Sequence, residues 1–218
     1  MGRPEPAAAS SSPSARLRVQ SVTRSGTIGE RLCVTLSDGS SFSFPEAGLQ
    51  DHGFAALAPG VELEEQAVCR LGTLARASEL RDRALRLLAG GAHSTRGLER
   101  KLLARGADPD LVAAELRRLA ACGLLDDRAY AGAWVRQRLA RHPEGPGPLL
   151  AGLQRRGVPR EIAEETVRAQ LTEEAERAGV TALAEKLRRR SGMTPERLEA
   201  ALARRGFRRS LIRELLGG

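Results

Sequence analysis

The chain has no uninterrupted apolar run of about 18 residues, which excludes a membrane-spanning helix. Its N-terminus lacks the charged-then-apolar pattern of a secretion signal. Cysteine is scarce: Cys33, Cys69 and Cys122 lie far apart, with no C-x-x-C among them. An odd, sparse set excludes a disulfide scaffold and fits a reducing cytoplasm. The three histidines, His52, His93 and His142, are scattered and none neighbours a cysteine, so neither a metal centre nor a cofactor is expected. No G-x-x-x-x-G-K-[ST] and no H-E-x-x-H occurs, which leaves no nucleotide P-loop and no zinc-protease helix. Gly145-Pro146-Gly147-Pro148 reads as a stiff linker and not as a phosphate cradle, because proline removes the amide donors a cradle needs. Asp126-Asp127 precedes an apolar stripe and reads as a helix cap, not a metal pair. With no acid–base or nucleophile constellation, the chain is not expected to be an enzyme. Aromatic residues make up only 3% of 218 residues, and Tyr130 and Trp134 fall four apart on one helix face. That pair reads as core, with base stacking as the alternative.

What is present is charge and periodicity. Residues 16–75 carry five basic and seven acidic side chains, whereas residues 76–218 carry 29 and 19, a net +10. Only Lys101 and Lys186 among these cations are lysine; the rest are arginine, whose planar fork suits phosphate and carboxylate. Such a surface is either simply solvated or matched to a polyanion or an acidic protein.

The fold class expected is mainly α, a tandem array of three three-helix, helix-turn-helix-like repeats after a small β-rich extension. Residues 1–15, rich in Ala, Ser and Pro, read as a disordered tail. Residues 16–75 read as a sheet of three or four strands: Leu32, Val34 and Leu36 alternate with polar residues, Asp38-Gly39 turns the chain, and Phe42 and Phe44 alternate with Ser41 and Ser43. Helical spacing sets in near Ser78. The repeats are assigned to 76–123, 124–171 and 172–218. Aligning Gly106, Gly157 and Gly206, at spacings of 51 and 49 residues, brings Leu98, Leu149 and Leu198 into register, then Leu102, Leu153 and Leu202, then Arg105, Arg156 and Arg205, and then Val112, Ala163 and Ile212. A period near 50 residues means one supersecondary unit repeated, each too small to bury its face alone. The glycines are expected to be left-handed helix stops. The arginine before each either caps helix carbonyls or faces a partner.

The run CGLLDDRAYAGAWVRQR, Cys122 to Arg138, together with RALRLLAGGAHSTRGLERKLLARGADPDLV before it and LARRGFRRSLIRELL at the end, resembles the RecX family, bacterial regulators of the RecA recombinase. The resemblance implies a non-enzymatic, cytoplasmic, monomeric modulator without cofactor. It implies binding to the RecA filament on DNA, weak binding to single- and double-stranded DNA, and inhibition of ATP hydrolysis, strand exchange and co-protease activity. The partner-binding residues expected are Arg96, Arg100, Lys101 and Arg105 in the first repeat, Arg155 and Arg156 in the second, and Arg204, Arg205, Arg208 and Arg209 in the third. Arg208 and Arg209 are expected to face outward, since no acidic residue lies between Glu199 and Glu214. Phe207 is expected to plug the last core. The competing reading is a stand-alone helix-turn-helix DNA-binding protein. Two of the three third helices begin with acids, Asp108-Pro109-Asp110 and Pro159-Arg160-Glu161, which phosphates repel. A purely structural scaffold is the third reading.

Overall fold

Alternating burial over Leu32, Val34 and Leu36 produces the strand that the sequence pattern predicts. A computed structural model describes residues 16–25, 31–47, 49, 52–54, 57–189 and 191–217; the tail over 1–15 lies outside them. Among the described residues, β1 (Leu17–Ser25), β2 (Arg31–Leu36), β3 (Ser41–Pro45) and β4 (Glu62–Leu63) form one antiparallel sheet in the order β3-β2-β1-β4. Gly39 turns β2 into β3 with φ 85°, and the Asp38 carboxylate accepts the Ser40 amide at 2.9 Å and its hydroxyl at 2.6 Å. Those two bonds hold the Asp38 carboxyl below its ordinary value. Leu32 then faces Phe44, and Val34 faces Phe42.

The sheet closes over α1 (Glu65–Ala89). Val19, Val34, Leu36, Phe44 and Leu71 share one buried cluster, with Ala67, Val68, Leu74 and Ala75 against it. The helix therefore begins at Glu65, about a dozen residues before the sequence reading places it. The stripe 67, 68, 71, 74, 75 has helical spacing, but Gly72 and Thr73 are weak helix formers and mask it. A Cβ at Gly72 would sit 3.4 Å from the Phe42 ring, in ordinary contact.

Eight more helices follow among the described residues: α2 (Thr95–Leu103), α3 (Pro109–Ala121), α4 (Asp127–Arg141), α5 (Pro146–Arg155), α6 (Arg160–Gln170), α7 (Glu173–Arg188), α8 (Pro195–Arg204) and α9 (Arg209–Leu216). Their starts follow from the capping residues. Ser94, Asp108, Asp126, Thr172 and Thr194 each accept from amides in the first turn. Gly145–Pro148 corrects the sequence reading. It is not a linker: Pro146 opens α5 in the first turn, where its missing N–H costs nothing and its fixed φ suits the helix.

The chain divides into two units, Met1–Asp82 and Arg83–Gly218. Within the second, the register of the repeats is a register of burial. Leu98, Leu149 and Leu198 are buried, as are Leu102, Leu153 and Leu202, and Val112, Ala163 and Ile212. The middle core is Ala131, Val135, Leu149, Leu153, Val158, Ala163 and Val167. The last is larger, with Leu183, Leu187, Leu211 and Phe207. Phe207 is buried as expected. Its equivalent Val158 is buried in the middle core with less volume, and Ala107 is half-buried.

Candidate functional site

The repeats meet through a docking mode that occurs twice. The start of α2 in the first repeat lies against the turn between α5 and α6 in the second. The Ser94 hydroxyl donates to the Arg156 carbonyl, and the Arg100 guanidinium donates to the Arg155 carbonyl at 3.2 Å. One repeat later, the start of α5 lies against the turn between α8 and α9. The Gly145 amide donates to the Arg205 carbonyl at 2.9 Å. Ser94 and Gly145 are equivalent positions of the alignment, as are Arg156 and Arg205. The recurring glycine thus has two reasons to be glycine. Gly157 and Gly206 adopt φ 85° and 80°, and a Cβ would lie 2.6 Å from the Arg96 Cβ and 2.1 Å from the Pro148 Cδ, respectively. Gly106, at φ 77°, would meet nothing within 4 Å. In the first repeat only the left-handed turn asks for glycine.

This docking sorts the expected partner-binding residues. At the first seam it gathers Arg96 and Arg100 with Arg155 and Arg156. At the second it brings Arg204 and Arg205 beside α4 and α7. The three arginines that precede the glycines have three different fates. Arg105 is exposed with no side-chain partner among the described residues. Arg156 donates to the Gly152 carbonyl at 3.2 Å, a helix-end cap, and its guanidinium lies 4.8 Å from the centre of the Trp134 ring. Arg205 lies 3.7 Å from the buried Glu144 carboxylate, which already accepts two bonds from Arg138. Those bonds hold the Arg138 guanidinium above its ordinary value.

Arg208 is a correction. Its side chain is exposed as expected, but it is not free, because Glu176 at the start of α7 supplies the missing acid. The Glu176 carboxylate is buried and accepts the Arg208 amide at 3.3 Å and its Nε at 2.8 Å. No acidic neighbour in sequence announces this pair, since the two residues stand 32 positions apart. Arg209 keeps its exposed, unpartnered guanidinium among the described residues, and so do Arg96, Arg155 and Arg204. Lys101 Nζ lies 3.4 Å from His93 Nε2. Partial burial, and then this ammonium, push His93 below its ordinary value. Among the described residues, no hydrogen bond or ion pair ties Arg105 or Arg209 to either seam cluster.

Trp134 is half-buried. Its ring packs on the middle core, so close to α5 that a Cβ at Gly152 would lie 2.4 Å from it. Tyr130 joins the same core. Both rings are therefore occupied by the protein, as the core reading expects. Two cations outside the expected set, Arg141 at the end of α4 and Lys186 in α7, stand with Arg204 and Arg205 around one groove. Only the stacking of repeats brings them together; their separation in sequence does not signal it. Among the described residues, no group of three or more His, Cys, Asp or Glu could hold a metal, and no helix is long and apolar enough to cross a membrane. The arrangement offers cations in fixed positions and no reacting group.

Comparison with known proteins agrees with this architecture. Residues 81–119 match the sequence profile of the RecX first three-helix domain, and residues 126–167 that of the second. A regulatory protein RecX of Treponema pallidum is 40% identical over 133 residues, covering 61% of this chain and 80% of the relative. One from Thermus thermophilus is 49% identical over 92 residues, covering 42% of this chain and 63% of the relative. A crystal structure of a regulatory protein RecX superposes with a TM-score of 0.75 at 23% identity, covering 92% of this chain and 98% of that one.

Proposed function

The chain belongs to the RecX family of regulatory proteins, and from that membership we propose that it binds the RecA recombinase filament on DNA and restrains its ATPase, strand-exchange and co-protease activities. The observation that carries this reading is the pair of inter-repeat seams. Each presents arginines whose guanidinia the fold itself leaves free: Arg96 and Arg155 at the first, Arg204 at the second. Arg105 and Arg209 extend the set. A filament on DNA offers phosphates and acidic protein surface at regular intervals, and a +10 array with two cationic seams is complementary to it. Several moderate contacts along one array raise avidity without any strong one. Contact with more than one filament subunit would resist the rearrangements on which turnover depends.

The stand-alone DNA-binding reading fits less well. The start of α3 is occupied by the Asp108 cap with Asp110 beside it, and the first turn of α6 carries Glu161. A recognition helix should offer donors there. Fluorescence anisotropy with labelled single-stranded DNA, bare or coated with the cognate RecA and a slowly hydrolysed nucleotide, separates the two. The filament should bind more tightly, and binding should weaken as salt rises, because counterions are released. Equal affinity for bare DNA and filament would favour the DNA-binding reading.

A further inference from the structure

We infer that the groove between the second and third repeats is a docking site for an acidic peptide segment that carries aliphatic side chains. The groove encloses about 380 Å³, within the roughly 300–1,000 Å³ typical of ligand sites. Arg141 comes to it from α4, Lys186 from α7, and Arg204 and Arg205 from the end of α8. Its apolar lining is Pro143, Ala182 and Ala201 with the outer edges of the core residues Leu183 and Leu187. None of the residues lining it is acidic. Glu144, a carboxylate at this seam, is buried and held by Arg138 and Arg205. Arg141, Lys186 and Arg204 are exposed and have no hydrogen-bond or ion-pair partner among the described residues. Three free cations of one sign in one groove repel each other, and only an anion relieves that.

Which anion follows from the floor. Single-stranded nucleic acid is gripped by cations together with aromatic platforms for the bases. This groove holds no Phe, Tyr or Trp. Phosphates laid over leucine would lose hydration and gain no bond there. An acidic peptide uses both parts: carboxylates reach the Arg and Lys rim, and an aliphatic side chain packs on Pro143, Ala182, Ala201 and the edges of Leu183 and Leu187. The inference concerns the chemistry of the groove and does not require that the peptide belong to the filament.

The test uses the full chain and three fluorescein-labelled probes: a glutamate-rich peptide with Leu at i and i+4, the same peptide with both Leu replaced by Ser, and oligothymidylate. The Leu peptide should bind at least about tenfold more tightly than the Ser peptide, as burial of one leucine supplies. Lys186→Glu with Arg204→Glu should weaken it by about tenfold or more. Ala182→Leu, which fills the groove with an aliphatic side chain from an exposed position and leaves the charges in place, should abolish the Leu preference while oligothymidylate binding stays unchanged. Thermal melts establish that each variant is folded. Equal binding of the two peptides would reduce the groove to a patch of charge and overturn the inference. So would equal loss of peptide and oligothymidylate binding in the filled variant, which would make the groove a nucleic-acid site.

Discussion

Replacing Gly145 with Ala isolates the inter-repeat docking from every local effect. Gly145 has φ −78° and ψ 178°, a conformation any residue adopts, so alanine costs nothing there by backbone preference. A Cβ, however, would lie 1.9 Å from the Gly206 carbonyl oxygen, 2.2 Å from its carbon and 2.5 Å from the Phe207 nitrogen. All three are backbone atoms, which cannot rotate away. The seam must open, with an overpacking cost of about 1–3 kcal/mol. The bond from the Gly145 amide to the Arg205 carbonyl, 2.9 Å long, then weakens or breaks, adding about 1 kcal/mol. A loss near 3 kcal/mol lowers the melting midpoint of a chain this size by roughly 6–12 °C. Gly147, two residues on, is the internal control. It is exposed in α5 and a Cβ would meet nothing within 4 Å beyond its chain neighbours, so the only conflict of Gly147→Ala is the local one with the following Pro148, and it should cost less than Gly145→Ala. Circular dichroism melts report the whole chain, and the single tryptophan, Trp134, reports the middle repeat. A Gly145→Ala loss no larger than that of Gly147→Ala, or a Gly145→Ala midpoint equal to that of the parent, would refute the docking described here.

The same logic separates the aligned glycines: Gly106→Ala should lose only the left-handed preference, about 1–2 kcal/mol, and Gly157→Ala should lose more because its Cβ meets Arg96; equal losses in denaturant titrations would count against the seam. Arg208→Ala leaves the buried Glu176 carboxylate without its guanidinium and should destabilise clearly, though by less than the ~3–5 kcal/mol of a fully buried pair, since the Arg208 side chain is half-exposed. Arg209→Ala should be neutral within about 0.5 kcal/mol in the same melts; the reverse order would show that the pair is not structural. His93 is depressed by partial burial and by Lys101, so its contribution to stability is complete above the ordinary value of 6.5 and is lost as pH falls from there through the depressed one. Lys101→Ala should move the His93 titration upward by NMR, and an unmoved midpoint would remove Lys101 as a cause.

Much of this was legible in the residues themselves. The hairpin needed only the alternation over Leu32–Leu36 and the Asp38-Gly39 turn, because strand period and turn chemistry are local. The repeat was legible because equivalent buried leucines recur at a fixed distance from a glycine. What stayed hidden depends on neighbours brought in by stacking. Gly145-Pro146-Gly147-Pro148 resembles a linker in composition, yet its glycine lets two backbones touch and its first proline starts a helix. Arg208 looks unneutralised along the chain and finds Glu176 across the third repeat. The Arg141–Lys186–Arg204 groove has no sequence pattern, since its members come from three helices of two repeats. Both members of the expected outward pair are exposed, and only Arg209 is also unpaired among the described residues. A charge reversal at Arg208 would test folding, not binding.

The central claim is restraint of the recombinase, and ATP hydrolysis by the cognate RecA on single-stranded DNA tests it most directly. Added to preformed filaments, the chain should lower the rate in a concentration-dependent, salt-sensitive way. The combined substitution of Arg96, Arg105, Arg155, Arg204 and Arg209 by Ala should largely abolish that inhibition while the melt stays near that of the parent, because these guanidinia have no partner among the described residues. Hydrolysis that is indifferent to the chain at low salt, or inhibition that survives loss of all five arginines, would contradict the account.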